Sequence, residues 1–160
     1  MKKNVMILTD KQLRKTDETL KDFKTLMIRY REVKGDDEKL KSFLTRNRNP
    51  LWDLTNCKYF KTGLMSEESR KKPNKNLVDD HYIQRSKGLR FVFEELDKNV
   101  DMNLETFIEV VKKYSSTVKL TKDEHKVVTS FNKKNPSYLN YETYLACNIK
   151  VEGLSDIILK

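Results

Sequence analysis

The chain has 160 residues, 37% hydrophobic and 36% charged, which allows one globular domain with a modest core beneath a heavily charged surface. Its 4 Gly and 3 Pro argue against a turn-rich β-sandwich, and the regular recurrence of Leu, Ile, Val, Phe and Tyr argues against disorder. With 33 basic and 24 acidic side chains, the formal charge of +9 favours an acidic partner, nucleic acid ahead of an anionic membrane surface.

The start, Met1 to Asp10, is basic but too short in its apolar part for a signal sequence, and no later run approaches the length of a membrane span. Thr9 or Asp10 is placed to cap a helix running to Gly35, with Leu13, Leu20, Phe23, Met27 and Tyr30 on one face and a lysine- and arginine-rich face opposite. Asp36, Asp37 and Glu38 supply the acidic first turn of a second helix bearing Leu40, Phe43 and Leu44, which closes in a basic turn at Thr45 to Pro50. Leu51 to Leu54 reads as an apolar knot in which Trp52 is a core anchor rather than a base-stacking platform.

Asn56 to Gly63 reads as a short strand, Ser66 to Asn76 as a polar loop carrying Arg70, Lys71, Lys72 and Lys75, and Leu77 to Asp79 as a second strand completing an irregular hairpin. After a turn at Arg85 to Gly88, the spacing of Leu89, Val92, Phe93 and Leu96 predicts a helix broken at Asn99 to Met102. Asn103 caps the next helix, with Leu104, Phe107, Ile108 and Val111 on its apolar face. Val118 to Leu120 is a brief extended piece. Thr121 to Glu124 is a capping box, so a helix starts there with His125 in its first turn and Val128 facing the core. Ser137 to Ile149, rich in tyrosine, makes one more helix, and the tail Leu154 to Leu159 has no clear assignment. Cys57 and Cys147 match no metal-binding or disulfide pattern, so a reduced cytoplasmic protein is the simpler expectation.

The two histidines occupy similar settings, each after a short apolar run: Leu77-Val78-Asp79-Asp80-His81 and Val118-Lys119-Leu120-Thr121-Lys122-Asp123-Glu124-His125. Successive strand residues point to opposite faces, so Asp80 and His81 are free to serve different roles. A carboxylate and an imidazole suit a divalent metal, and a second imidazole suits proton abstraction from water near neutral pH. Asp79 would exchange places with Asp80 after a one-residue slip in register.

The stretch Val78 to Lys87 resembles the first block of HNH (ββα-metal) endonucleases, and Val118 to Lys126 resembles the last, with the motif order kept over roughly Cys57 to Phe131. General character also resembles small phage-encoded endonucleases, which would place the protein in the host-cell cytoplasm. The resemblance implies an α+β, mostly helical fold. Residues 1–50 would be a basic helical extension, 51–135 an HNH-like core with inserted helices, and 136–160 a helical segment packed on that core. It further implies His81 as general base, with Asp80 and His125 as ligands to one Mg²⁺ or Mn²⁺ ion. Ser116 stands where the family commonly has a loop-supporting Asn, with Asn99 and Asn103 as possible substitutes. Arg85, Lys87, Arg70, Lys71 and Lys72 are candidate contacts to phosphate. The expected activity is hydrolysis of phosphodiester bonds, double-stranded DNA ahead of RNA, with homo-oligomerisation left open. The alternatives are a basic nucleic-acid-binding or regulatory protein without catalysis, and an interaction module using the tyrosine-rich segment.

Overall fold

Helix α1, Asp10–Val33, starts at a full capping box: the Thr9 hydroxyl accepts from the Gln12 N–H, and the Gln12 side chain accepts from the Thr9 N–H at 2.8 Å. In this computed structural model, which describes residues 7–72 and 76–158, α1 is followed by α2 (Asp37–Arg46), capped by Asp36, and by α3 (Asn49–Thr55) with Pro50 in its first turn. Two later helices, α5 (Arg85–Lys98) and α6 (Leu104–Ser115), close the same core. Phe93 of α5 lies at its centre, with ring centroids 4.8 Å from Phe23, 5.3 Å from Tyr30 and 5.2 Å from Phe43. Burying each of these rings contributes about 2–3 kcal/mol, so α1, α2 and α5 are held as one unit.

The remaining elements build a second, smaller core. Strand β1 (Leu77–His81) pairs antiparallel with β2 (Thr117–Thr121), placing Asp79 opposite Lys119, Asp80 opposite Val118 and His81 opposite Thr117. Helix α7 (Lys122–Lys134) leaves β2 through a second capping box between Thr121 and Glu124. Val118, Leu120 and Val128 pack with Tyr82, Tyr144, Ile149 and Leu154, the last three from α8 (Asn140–Ala146), the chain beyond it and α9 (Leu154–Ile158). The fold is thus mostly helical with a small two-stranded sheet, and the helical pair α5–α6 is spliced between the strands.

Several sequence expectations are corrected. Asn56 to Gly63 is not a strand: Lys58–Phe60 forms a single 3-10 turn, because Phe60 is drawn into the helical core. The partner of β1 is β2, not this segment. Instead Thr62 to Ser66 lines the far edge of β2, with Thr62 N–H donating to Thr117 O, Lys119 N–H to Leu64 O and Ser66 N–H to Lys119 O. Ser66 to Asn76 is not all loop: Ser66 caps a short helix, α4 (Glu67–Lys71), whose first turn carries Glu67 and Glu68. Arg85 to Gly88 is no turn but the first turn of α5, and Leu51 to Leu54 lies within α3. Lys75, residues 1–6 and Leu159 lie outside the described residues. Among those described, no helix is long and apolar enough to cross a membrane.

Candidate functional site

The alternation of β1 divides the predicted site residues between two faces of the sheet. Val78 and Asp80 turn toward α7 and α8, in line with Val118 and Leu120 of β2. Asp79 and His81 turn to the other face with Lys119.

On the first face, Asp80 is 5% exposed and its carboxylate is fully engaged. His125, forty-five residues later in the first turn of α7, sets Nδ1 2.9 Å from Asp80 Oδ1. Asp80 Oδ2 accepts from the Tyr144 hydroxyl and, at 3.4 Å, from Asn140 Nδ2. Burial pushes the Asp80 carboxyl above its ordinary range, and the bonds from Tyr144, His125 and Asn140 pull it back without cancelling the effect. Burial, reinforced by the neighbouring Asp80 charge, likewise pushes the Tyr144 hydroxyl up, so it remains a donor. The His125 side chain is 42% exposed. With Nδ1 directed at Asp80, Nε2 has no partner among the described residues. The capping box fixes where α7 begins and therefore where His125 stands. Glu124 also accepts from Ser66 Oγ at 2.6 Å, tying that turn to the edge of β2.

One oxygen and one nitrogen 2.9 Å apart match adjacent ligands on an octahedral ion: at about 2.1 Å each, cis ligands stand about 3 Å apart. Among the described residues no group of three or more His, Cys, Asp or Glu converges on such a site.

On the second face, Asp79 accepts from Lys61 at 2.6 Å and Lys119 at 3.3 Å. Burial alone would raise its pKa, but the two ammonium groups outweigh burial and lower it. His81 is pushed down to about 4, first by burial and then by the Arg85 charge, so its imidazole is neutral at pH 7. Its side chain makes no hydrogen bond to any described residue, while its carbonyl accepts from Asn140 Nδ2 at 2.6 Å. Two lysines thus share the single Asp79 carboxylate on this face.

The remaining candidates separate further. Ser116 is buried where α6 meets β2, beside the Tyr82 hydroxyl, and makes no hydrogen bond to His81. Asn99 and Asn103 lie at the α5–α6 turn, where Asn103 caps α6. The asparagine that does bridge Asp80 and His81 is Asn140. Neither it nor Tyr144 is singled out in the sequence, because a tyrosine-rich amphipathic helix reads equally well as a binding face. Arg70 pairs with Glu152 and Lys71 with Glu68, both at 2.8 Å. Lys87 Nζ donates to the carbonyls of Pro136 and Tyr138 at 2.7 and 3.1 Å. Lys72 is exposed just beyond α4. Arg85 points instead to Trp52. No family model, no curated protein and no solved structure matches the chain.

Proposed function

We propose that the protein hydrolyses phosphodiester bonds in nucleic acid, double-stranded DNA ahead of RNA, with one Mg²⁺ or Mn²⁺ ion. The carrying observation is the 2.9 Å approach of Asp80 Oδ1 to His125 Nδ1, made by a strand end and the first turn of the helix that follows its partner strand. Such β1–β2–α7 architecture is what the resemblance to HNH (ββα-metal) endonucleases implies. In this reading Asp80 and His125 hold the cation, which supplies charge neutralisation at the phosphate and the departing oxygen. Tyr144 and Asn140 orient the Asp80 carboxylate, leaving His125 as the exposed wall of the site.

His81, the last residue of β1, is the base that takes a proton from water. Its neutrality keeps the nitrogen lone pair available at pH 7. The charges that depress it, Arg85 and Lys61, are also those a phosphate would neutralise, so substrate raises the basicity of the imidazole as it docks.

The test is incubation with plasmid and with short duplex and single-stranded oligonucleotides, in Mg²⁺, in Mn²⁺ and in chelator. Metal-dependent nicking or cutting is expected, abolished by His81→Ala and by His125→Ala with nucleic-acid binding retained. Unchanged cutting by either variant refutes the assignment. A second reading, a basic binder without catalysis, is favoured by one observation: the strand sends His81 to the face opposite the Asp80–His125 pair. Binding without cutting in every metal selects it.

A further inference from the structure

The basic side chains differ in how they are partnered. Most cations named so far are committed: Lys61 and Lys119 to Asp79, Arg70 to Glu152, Lys71 to Glu68, Lys87 to backbone carbonyls. Arg48 and Arg85 instead share one aromatic ring. The guanidinium carbon of Arg48, at the start of α3, lies 4.6 Å from the centroid of the Trp52 ring, and that of Arg85, in the first turn of α5, lies 5.0 Å from it. Neither side chain has a carboxylate or a hydrogen-bond acceptor among the described residues, and both residues are exposed.

Sharing one ring places the two guanidinium carbons within about 10 Å of each other, about one Debye length at 0.1 M salt, so their charges repel. The indole face offsets part of this, a cation over Trp being worth about 0.5–1 kcal/mol at an exposed site. It consumes none of the N–H donors, which lie in the guanidinium planes. The indole Nε1 is itself buried without a partner among the described residues. A buried donor left unpaired costs about 1–3 kcal/mol, which phenylalanine would avoid; the larger, more electron-rich face of tryptophan is what the position retains. Arg85 comes four residues after His81 in the chain, in the first turn of α5.

We infer that Arg48 and Arg85, held against Trp52, dock a backbone phosphate of nucleic acid. Fork-shaped donors bind phosphate oxygens in pairs, and a single phosphate or two neighbouring ones would relieve the repulsion between the arginines. Arg48 leads into α3 and Arg85 opens α5, so the site lies on the helical bundle, four residues along the chain from the end of β1. The inference rests on nucleic acid as the partner in the proposed function, and not on cleavage.

Trp52 is the sole tryptophan, so its fluorescence reports on this site alone. The experiment titrates the full chain, in chelator, with inorganic phosphate and with single-stranded and duplex oligonucleotides over a range of salt. Oligonucleotide should change Trp52 emission in a saturable, salt-dependent manner; inorganic phosphate should do so only at far higher concentration. Arg48→Gln and Arg85→Gln should each weaken binding by about five- to tenfold and lower the slope of log K against log salt by about one. Arg48→Lys and Arg85→Lys, which keep the charge, should keep most of the slope, and an unchanged melting temperature shows that each variant is folded. Arg29→Gln removes the same charge from an ion pair with Glu32 on α1 and should leave the slope in place. Wild-type affinity and slope in both Gln variants, or equal losses in Arg29→Gln, overturn the inference. Binding through the two arginines without cutting in any metal overturns catalysis and leaves this site standing; cutting with an unchanged KM in both Gln variants does the reverse.

Discussion

Gly88 of α5 stands so close to Tyr114 of α6 that a Cβ on the glycine would lie 2.2 Å from the Tyr114 carbonyl oxygen. No backbone torsion demands glycine here; the neighbouring helix does. Gly88→Ala must push α5 away from α6, with an expected loss of about 1–3 kcal/mol, measured as the shift in urea midpoint at constant m-value. A stability equal to wild type would show that the two helices do not approach this closely.

Asp80 pairs a functional role with a structural cost. Its raised pKa means that burial of the charge outweighs the hydrogen bonds it accepts. Asp80→Asn keeps the shape and can still accept from Tyr144. At pH 7 its melting temperature should equal or exceed wild type while metal-dependent cutting falls by at least about a hundredfold. A clear drop in melting temperature contradicts the first half of this expectation, and retained cutting the second.

Removing the hydroxyl that faces Asp80 has the opposite sign. Tyr144→Phe leaves a buried carboxylate oxygen with only the long Asn140 contact, costing about 1–3 kcal/mol at pH 7. The cost should shrink as Asp80 becomes protonated at acid pH. Thermal melts of both proteins from pH 7 to pH 4 measure it; a pH-independent difference would show that the hydroxyl serves packing alone.

His81 sets a second pH dependence. Its folded pKa of about 4 is below the ordinary value of 6.5, so the unfolded chain binds the proton first as pH falls. Its contribution is fully present above pH 6.5 and is lost as pH drops toward 4, by up to about 3 kcal/mol. His81→Gln should flatten the stability profile across that window. In ¹H–¹⁵N spectra of the imidazole, oligonucleotide should move the His81 titration upward from about 4, because phosphate neutralises the charge of Arg85.

The starts of α1, α6 and α7 were legible because capping chemistry is local: Thr9, Asn103 and Thr121 are each followed by the backbone donor or the side chain that completes the cap. Strand pairing is not local. Residues 56–63 offered Tyr59 and Phe60, good strand formers, but burial of Phe60 among helices decided otherwise. Gly88 read as a turn glycine, though its reason is a contact with α6. Asp80, His81 and His125 stood out through their side-chain chemistry. Asn140 and Tyr144, which position Asp80, carried no comparable signal because only the packing of α8 against β1 reveals them.

The splice of α5 and α6 into the sheet ties the ordering of β1 and β2 to the assembly of the bundle. The two strands are kept apart in the chain by a hairpin whose apolar faces lie against α1, α2 and α3. Trimming away the first fifty residues would uncover Phe93 and Phe107 and leave the hairpin without a mould. The amino-terminal segment is therefore a folding template for a sheet to which it contributes no strand, and a minimal fragment begun at Leu51 should lose the sheet along with the bundle.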